Sequence, residues 1–113
     1  MMLRKENRLT KRVDFQKVLK QGKMVQGRLF SLSFLKSPED FQPKFGIIVS
    51  NKISKRAVAR NRIRRLLREA IRKSLVRAPR GSIFVLLTKK SALEAKSNQV
   101  EDDLKYMFSK CGI

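Results

Sequence analysis

The chain is 113 residues long and carries 28 Lys and Arg against nine Asp and Glu, a formal charge of +19 at pH 7. That balance makes a polyanion, nucleic acid first of all, the expected partner, and the length suits one domain over residues 1–113 and excludes a second lobe. There is no histidine, which removes the commonest general acid–base and metal ligand, and the lone Cys111 excludes a disulfide framework or a cysteine zinc site within one chain.

No run of 18 apolar residues exists, and MMLRKENRLTKR lacks the apolar stretch of a signal peptide, so a cytoplasmic protein without a membrane partner is expected. Residues 1–9 read as a basic arm, ordered by RNA or by packing on a sheet. Thr10 is placed to cap a helix over Lys11 to Gln21, and Gly22 to stop it. Phe15, Val18 and Leu19 make one side of this helix apolar. Phe15 has two readings: a core residue, or, flanked by Lys11, Arg12 and Lys17, a ring on which a splayed base stacks.

Alternation from Met24 to Leu35 predicts a strand, with Arg28, Phe30, Leu32 and Phe34 on one parity. KSPEDFQP, Lys36 to Pro43, is a polar connection, and KFGIIVSNK returns as a second strand over Lys44 to Lys52. An antiparallel hairpin is the economical pairing of the two. Gly46 marks a bulge or a close backbone approach.

The stretch Ser50 to Pro79 organises the rest. At helical period Ile63, Leu66, Leu67, Ala70, Ile71 and Ser74 fall on one stripe, while Asn61, Arg64, Arg65, Arg68 and Arg72 spread over the opposite arc. Between Lys55 and Arg77 there are eight Arg and two Lys against one acid, Glu69. A merely solvated helix mixes acids with bases, so this composition points to a polyanion, and the planar Arg fork suits bidentate phosphate contact. Arg60, Arg64, Arg68 and Arg72 lie four apart and repel one another until an anion arrives. Ser54 is placed as the cap of this helix.

Ser82 to Thr88 is apolar on both parities, which predicts a central strand covered on two faces. With the second strand and the basic helix it forms a β-α-β crossover, right-handed by the general rule. Asn98 and Glu101 have capping-box spacing for a last helix with Val100, Leu104, Met107 and Phe108 on its apolar stripe. Glu101, Asp102 and Asp103 are the densest acidic cluster. A metal site is one reading and helix-dipole compensation the favoured one.

A basic helix flanked by strands, with no helix-turn-helix or zipper, favours RNA over DNA. The run AVARNRIRRLLREAIR, Ala57 to Arg72, preceded by KFGIIVSNKISKR, resembles the signature of the protein subunit of bacterial ribonuclease P. The likeness extends to NRLTKRVDFQKVLKQG, to Arg28 and Phe30, and to the final strand and helix.

The resemblance implies an α/β fold, a two-layer α+β sandwich with a small central sheet, a left-handed crossover carrying the basic helix, and N- and C-terminal helices. Here it overrides the right-handed rule. It implies a subunit that binds the catalytic RNA and the 5′ leader of precursor tRNA and promotes endonucleolytic leader removal. The partner RNA would hold the Mg²⁺ and carry the chemistry, with no catalytic residue in this chain.

Carried over residue by residue, the implied RNA-binding set is Lys52, Arg56, Arg60, Asn61, Arg62, Arg64, Arg65, Arg68 and Arg72. The implied leader cleft holds Phe15, Lys11, Arg12, Lys17 and Arg28. Leu19, Ser31 and Ser33 stand where aromatics are frequent in the family, and Asn51 replaces one of a frequent basic pair. Two other classes compete: a basic ribosomal-type RNA-binding protein without a role in tRNA processing, and a protein-only nuclease using acids such as Asp14, Glu69 or Asp102.

Overall fold

A computed structural model describes residues 4–113. The elements in chain order are α1 (Arg12–Gln21), β1 (Lys23–Gln26), β2 (Phe30–Lys36), β3 (Lys44–Ile48), α2 (Ala57–Ser74), β4 (Ser82–Thr88) and α3 (Ser97–Lys110), with short 3-10 turns at Lys5–Asn7, Leu75–Arg77 and Lys90–Glu94. The four strands form one sheet in the order β1-β2-β4-β3. β2 is antiparallel to β1 and β4, and β3 is parallel to β4.

The β-α-β crossover therefore exists, but the expected hairpin of the second strand with the first does not. β4 lies between β2 and β3, because Phe84, Val85 and Leu86 are apolar on both faces and lose all solvent exposure only at the sheet centre. The first strand also corrects to two. Its alternation runs on through Gly27 and Arg28, yet the chain turns there and β1 folds back on β2, pairing Gln26 with Ser31.

The even-numbered residues of β2 and β4, Phe30, Leu32, Phe34, Phe84 and Leu86, face α2 and α3 together with Phe45 of β3. The Phe84 ring stacks between Phe34 at 5.0 Å and Phe45 at 4.8 Å and meets Phe108 of α3 at 5.2 Å. α2 presents Ile63, Leu67, Ala70 and Ile71 to this core, the stripe predicted from period, with Leu66 at its half-buried margin. This sheet and the α2/α3 layer make the sandwich. α1 covers part of the other face, where Leu9, Val18 and Val85 are packed by Phe15, Leu19, Leu35, Ile48 and Ile83. Residues 1–3 of the predicted arm lie outside the described residues. The remainder packs on the sheet edge: Leu9 N–H donates to the Phe45 carbonyl at 2.9 Å and Asn7 Nδ2 to the Pro43 carbonyl at 2.9 Å.

The three predicted caps shift. Lys11, not Thr10, precedes α1, and Arg56, not Ser54, precedes α2, neither with a side-chain cap. At α3 the backbone N–H of Lys96 donates to the Gln99 carboxamide at 2.9 Å, while Glu101 pairs with Lys73 of α2 at 2.7 Å.

Candidate nucleic-acid interface

Burial of the Ile63–Ile71 stripe fixes the rotation of α2, so its remaining arc faces outward. Asn61, Arg65 and Arg72 are exposed, Arg60, Arg64 and Arg68 are half-buried, and Lys52 and Arg56 are exposed on the segment leading into the helix. Arg60 Nη1 donates to the Ser54 carbonyl at 2.9 Å, which ties that lead-in to the first turn. Arg64 Nη1 donates to Asn61 Oδ1 at 3.1 Å, orienting the amide.

Among the described residues, Arg72 is the only one of these cations paired with a carboxylate, that of Glu69 at 2.5 Å. The hydrogen bond from Arg72 holds the Glu69 carboxyl below the ordinary carboxylate range. Arg60 and Arg64 each spend an Nη1 donor, on the Ser54 carbonyl and on Asn61, and keep their remaining donors for a ligand, and a row of like charges on one helix favours whatever anion separates them.

Arg62 is different. Its Nη2 donates to the Ala95 carbonyl at 2.8 Å and its Nη1 to that of Leu93 at 3.5 Å, so it fastens α2 to the turn before α3. Residue type alone does not separate it from Arg64 or Arg65; its place between the buried stripe and the charged arc is the signal.

On the other face of the sheet Phe15 is half-buried. Its ring rests on Gly46, where a Cβ would stand 2.5 Å from the ring Cζ, so Gly46 marks a close approach and not a bulge. The packing reading of Phe15 is thereby visible in the fold, and the residue is not wholly buried by it. Lys11, Arg12 and Lys17 are exposed along α1. Lys17 lines a cleft of about 420 Å³ floored by Leu9, Leu35 and Ile83. Arg28 does not join this group. It sits at the β1–β2 turn beside a separate cavity bounded by α3.

The acidic cluster also resolves. Asp103 is buried, and its carboxylate accepts the backbone N–H groups of Arg28 at 2.7 Å, Leu29 at 3.0 Å and Phe30 at 3.2 Å. Neither metal binding nor the helix dipole describes that role. Its signal in the sequence was position: Asp103 precedes Leu104 on the inward side of α3. Among the described residues no three side chains of His, Cys, Asp or Glu converge as a cation site. Burial pushes the Cys111 thiol up, away from reactivity. No helix is long and apolar enough to cross a membrane among the described residues.

Known proteins resemble this chain in sequence and in fold. A family model described as Ribonuclease P matches residues 3–112. The chain is similar to the ribonuclease P protein component of Bacillus velezensis, 35% identical over 113 residues, 98% of this chain and 94% of that protein. It is 36% identical to that of a Pseudanabaena species over 112 residues, 99% and 97% of the two chains. Among solved structures it is similar to the RNase P protein of Staphylococcus aureus, with TM-score 0.81, 27% identity and coverage of 95% and 96%. The RNase P protein of Thermotoga maritima gives TM-score 0.79, 28% identity and coverage of 91% and 96%. With a family model matched over residues 3–112 and relatives more than 30% identical over nearly the full length, the chain belongs to the ribonuclease P protein family.

Proposed function

We propose that this chain is the protein subunit of a bacterial-type ribonuclease P, the endoribonuclease that matures the 5′ end of tRNA. It grips the catalytic RNA through Lys52, Arg56, Arg60, Asn61, Arg64, Arg65, Arg68 and Arg72, and it meets the 5′ leader of precursor tRNA beside α1, at Phe15, Lys11, Arg12 and Lys17. One observation carries this reading: α2 buries one face in the core and leaves the opposite face to arginines that, Arg72 aside, have no carboxylate partner among the described residues.

The chain's own residues bind and orient. Arginine forks neutralise and position phosphates, Asn61 offers a directional hydrogen bond, and the accessible part of the Phe15 ring gives an unpaired leader base a surface. Mg²⁺ held by the partner RNA would supply the activated water. Of the acids weighed for a nuclease, Glu69 is held by Arg72; elsewhere Glu101 pairs with Lys73, Asp40 with Arg80, and Asp103 accepts backbone N–H groups. The cytoplasm, where precursor tRNA is made in bacteria, is the compartment this role requires.

Leader removal by a bacterial ribonuclease P RNA at low Mg²⁺, with and without the protein, tests the proposal. Stimulation is expected. RNA binding without stimulation would instead favour a ribosomal-type protein, and metal-dependent cleavage by the protein alone would favour a nuclease.

A further inference from the structure

The turn between β1 and β2 is held with unusual completeness. Besides the three N–H groups taken by Asp103, the Gly27 carbonyl accepts from Lys89 Nζ at 2.7 Å, the Arg28 carbonyl from Ser91 Oγ at 2.8 Å, and the Leu29 carbonyl from the Lys89 N–H at 2.9 Å. A Cβ at residue 27 would stand 2.5 Å from Asp103 Oδ2, so glycine is what lets the carboxylate come this close. Backbone groups that a surface loop ordinarily leaves to water are all taken by protein. What the turn offers outward is the Arg28 side chain, exposed and, among the described residues, in no ion pair.

Beside it lies a cavity of about 660 Å³, lined by Gln26, Arg28, Ser91, Gln99, Asp102 and Tyr106 among others. That volume is within the range of small-ligand clefts. Its chemistry is mixed: the donors of Arg28, Gln26 and Gln99 stand beside two carboxylates, of which Asp103 is already taken up by the turn. The Gln26 carboxamide oxygen already accepts from its strand partner Ser31 Oγ at 2.7 Å, and that of Gln99 from the Lys96 N–H at 2.9 Å. Both side chains therefore have their NH₂ groups left to give. Tyr106 is 49% exposed, with Lys110 Nζ 5.5 Å from its ring centroid, so an aromatic face and positive charge stand together. Asp102, the exposed acid of the lining, disfavours phosphate at its own end and leaves Arg28 as the place for it.

We propose that this cavity takes one unpaired ribonucleotide of the RNA on which the chain assembles, with its phosphate on Arg28, its base against Tyr106 and base acceptors on the amides of Gln26 and Gln99. The site rests on the reading of the chain as an RNA-binding subunit and adds a contact remote in sequence from α2. Asp103, Lys89 and Ser91 are positioning residues, holding the arginine where the phosphate arrives.

The test uses the full chain and a bacterial ribonuclease P RNA, measuring affinity against salt. Arg28 and Tyr106 are exposed, so Arg28→Ala and Tyr106→Ala leave the core intact. Tyr106→Ala should weaken binding roughly five-fold or more, as loss of a base stack does. Arg28→Ala should make the log-log salt slope shallower by about one. The double variant should lose less than the product of the two, since both act on one nucleotide, and a photoreactive group at position 106 should cross-link to RNA. Unchanged affinity in both variants while Arg65→Ala still weakens binding would overturn the slot and leave the family role standing. If Arg65→Ala also has no effect, the reading of α2 falls instead.

Discussion

Single residues carry two of the functions that pattern could not assign. Asp103 looked like one of three acids at a helix start, and only the fold shows its carboxylate satisfying three consecutive N–H groups some 75 residues away in sequence. Asp103→Ala leaves those donors buried and unpaired, and should lower stability by roughly 3 kcal/mol or more, read from the urea midpoint at constant m. A loss below about 1 kcal/mol would mean water replaces the carboxylate. Phe15 is the converse, a residue whose two readings are both legible in the sequence; its position over Gly46 shows the packing one, and base stacking is left to experiment. Phe15→Ala should weaken precursor tRNA more than mature tRNA, by roughly 1 to 3 kcal/mol if the ring stacks a base. Equal losses on both substrates would make the ring a packing residue alone.

Among elements, α2 was readable because one period of 3.6 sorts its residues into a buried stripe and a charged arc, and burial follows that sorting from Ile63 to Ser74. The β1–β2 turn was not, because alternation continues through it and the turn is stabilised by Asp103, Lys89 and Ser91, none of them local. Strand order was equally hidden. Proximity in sequence favours a β2–β3 hairpin, while two-sided apolarity places β4 between them, and burial outweighs the shorter connection. Within α2 the same limit separates two arginines of one type. Arg65→Ala should weaken RNA binding and make the salt slope shallower by about one. Arg62→Ala should instead lower stability by roughly 1 kcal/mol through the Ala95 carbonyl it leaves, with the slope near that of the parent. The reverse outcome would show that Arg62 exchanges its carbonyl partners for phosphate in the complex.

At the scale of the molecule, a charge of +19 is held within a radius of gyration of 13.0 Å. Four ion pairs join the described residues, so most of that charge is uncompensated, and self-repulsion works against the folded chain. Raising salt from about 0.1 M to about 1 M shortens the screening length from about 10 Å to about 3 Å, well inside the molecule. The free protein should therefore melt at higher temperature in high salt. RNA binding should respond in the opposite sense, because each neutralised phosphate releases counterions. Seven candidate contacts on α2 and its lead-in, at Lys52, Arg56, Arg60, Arg64, Arg65, Arg68 and Arg72, contribute a log-log slope of roughly −5 to −6, to which a phosphate on Arg28 would add about one. Opposite signs in the two experiments identify one cause, a surface charged beyond what folding favours because an anion completes it. A melting temperature that falls with salt would mean that internal ion pairs, and not repulsion, dominate the electrostatics of the free chain.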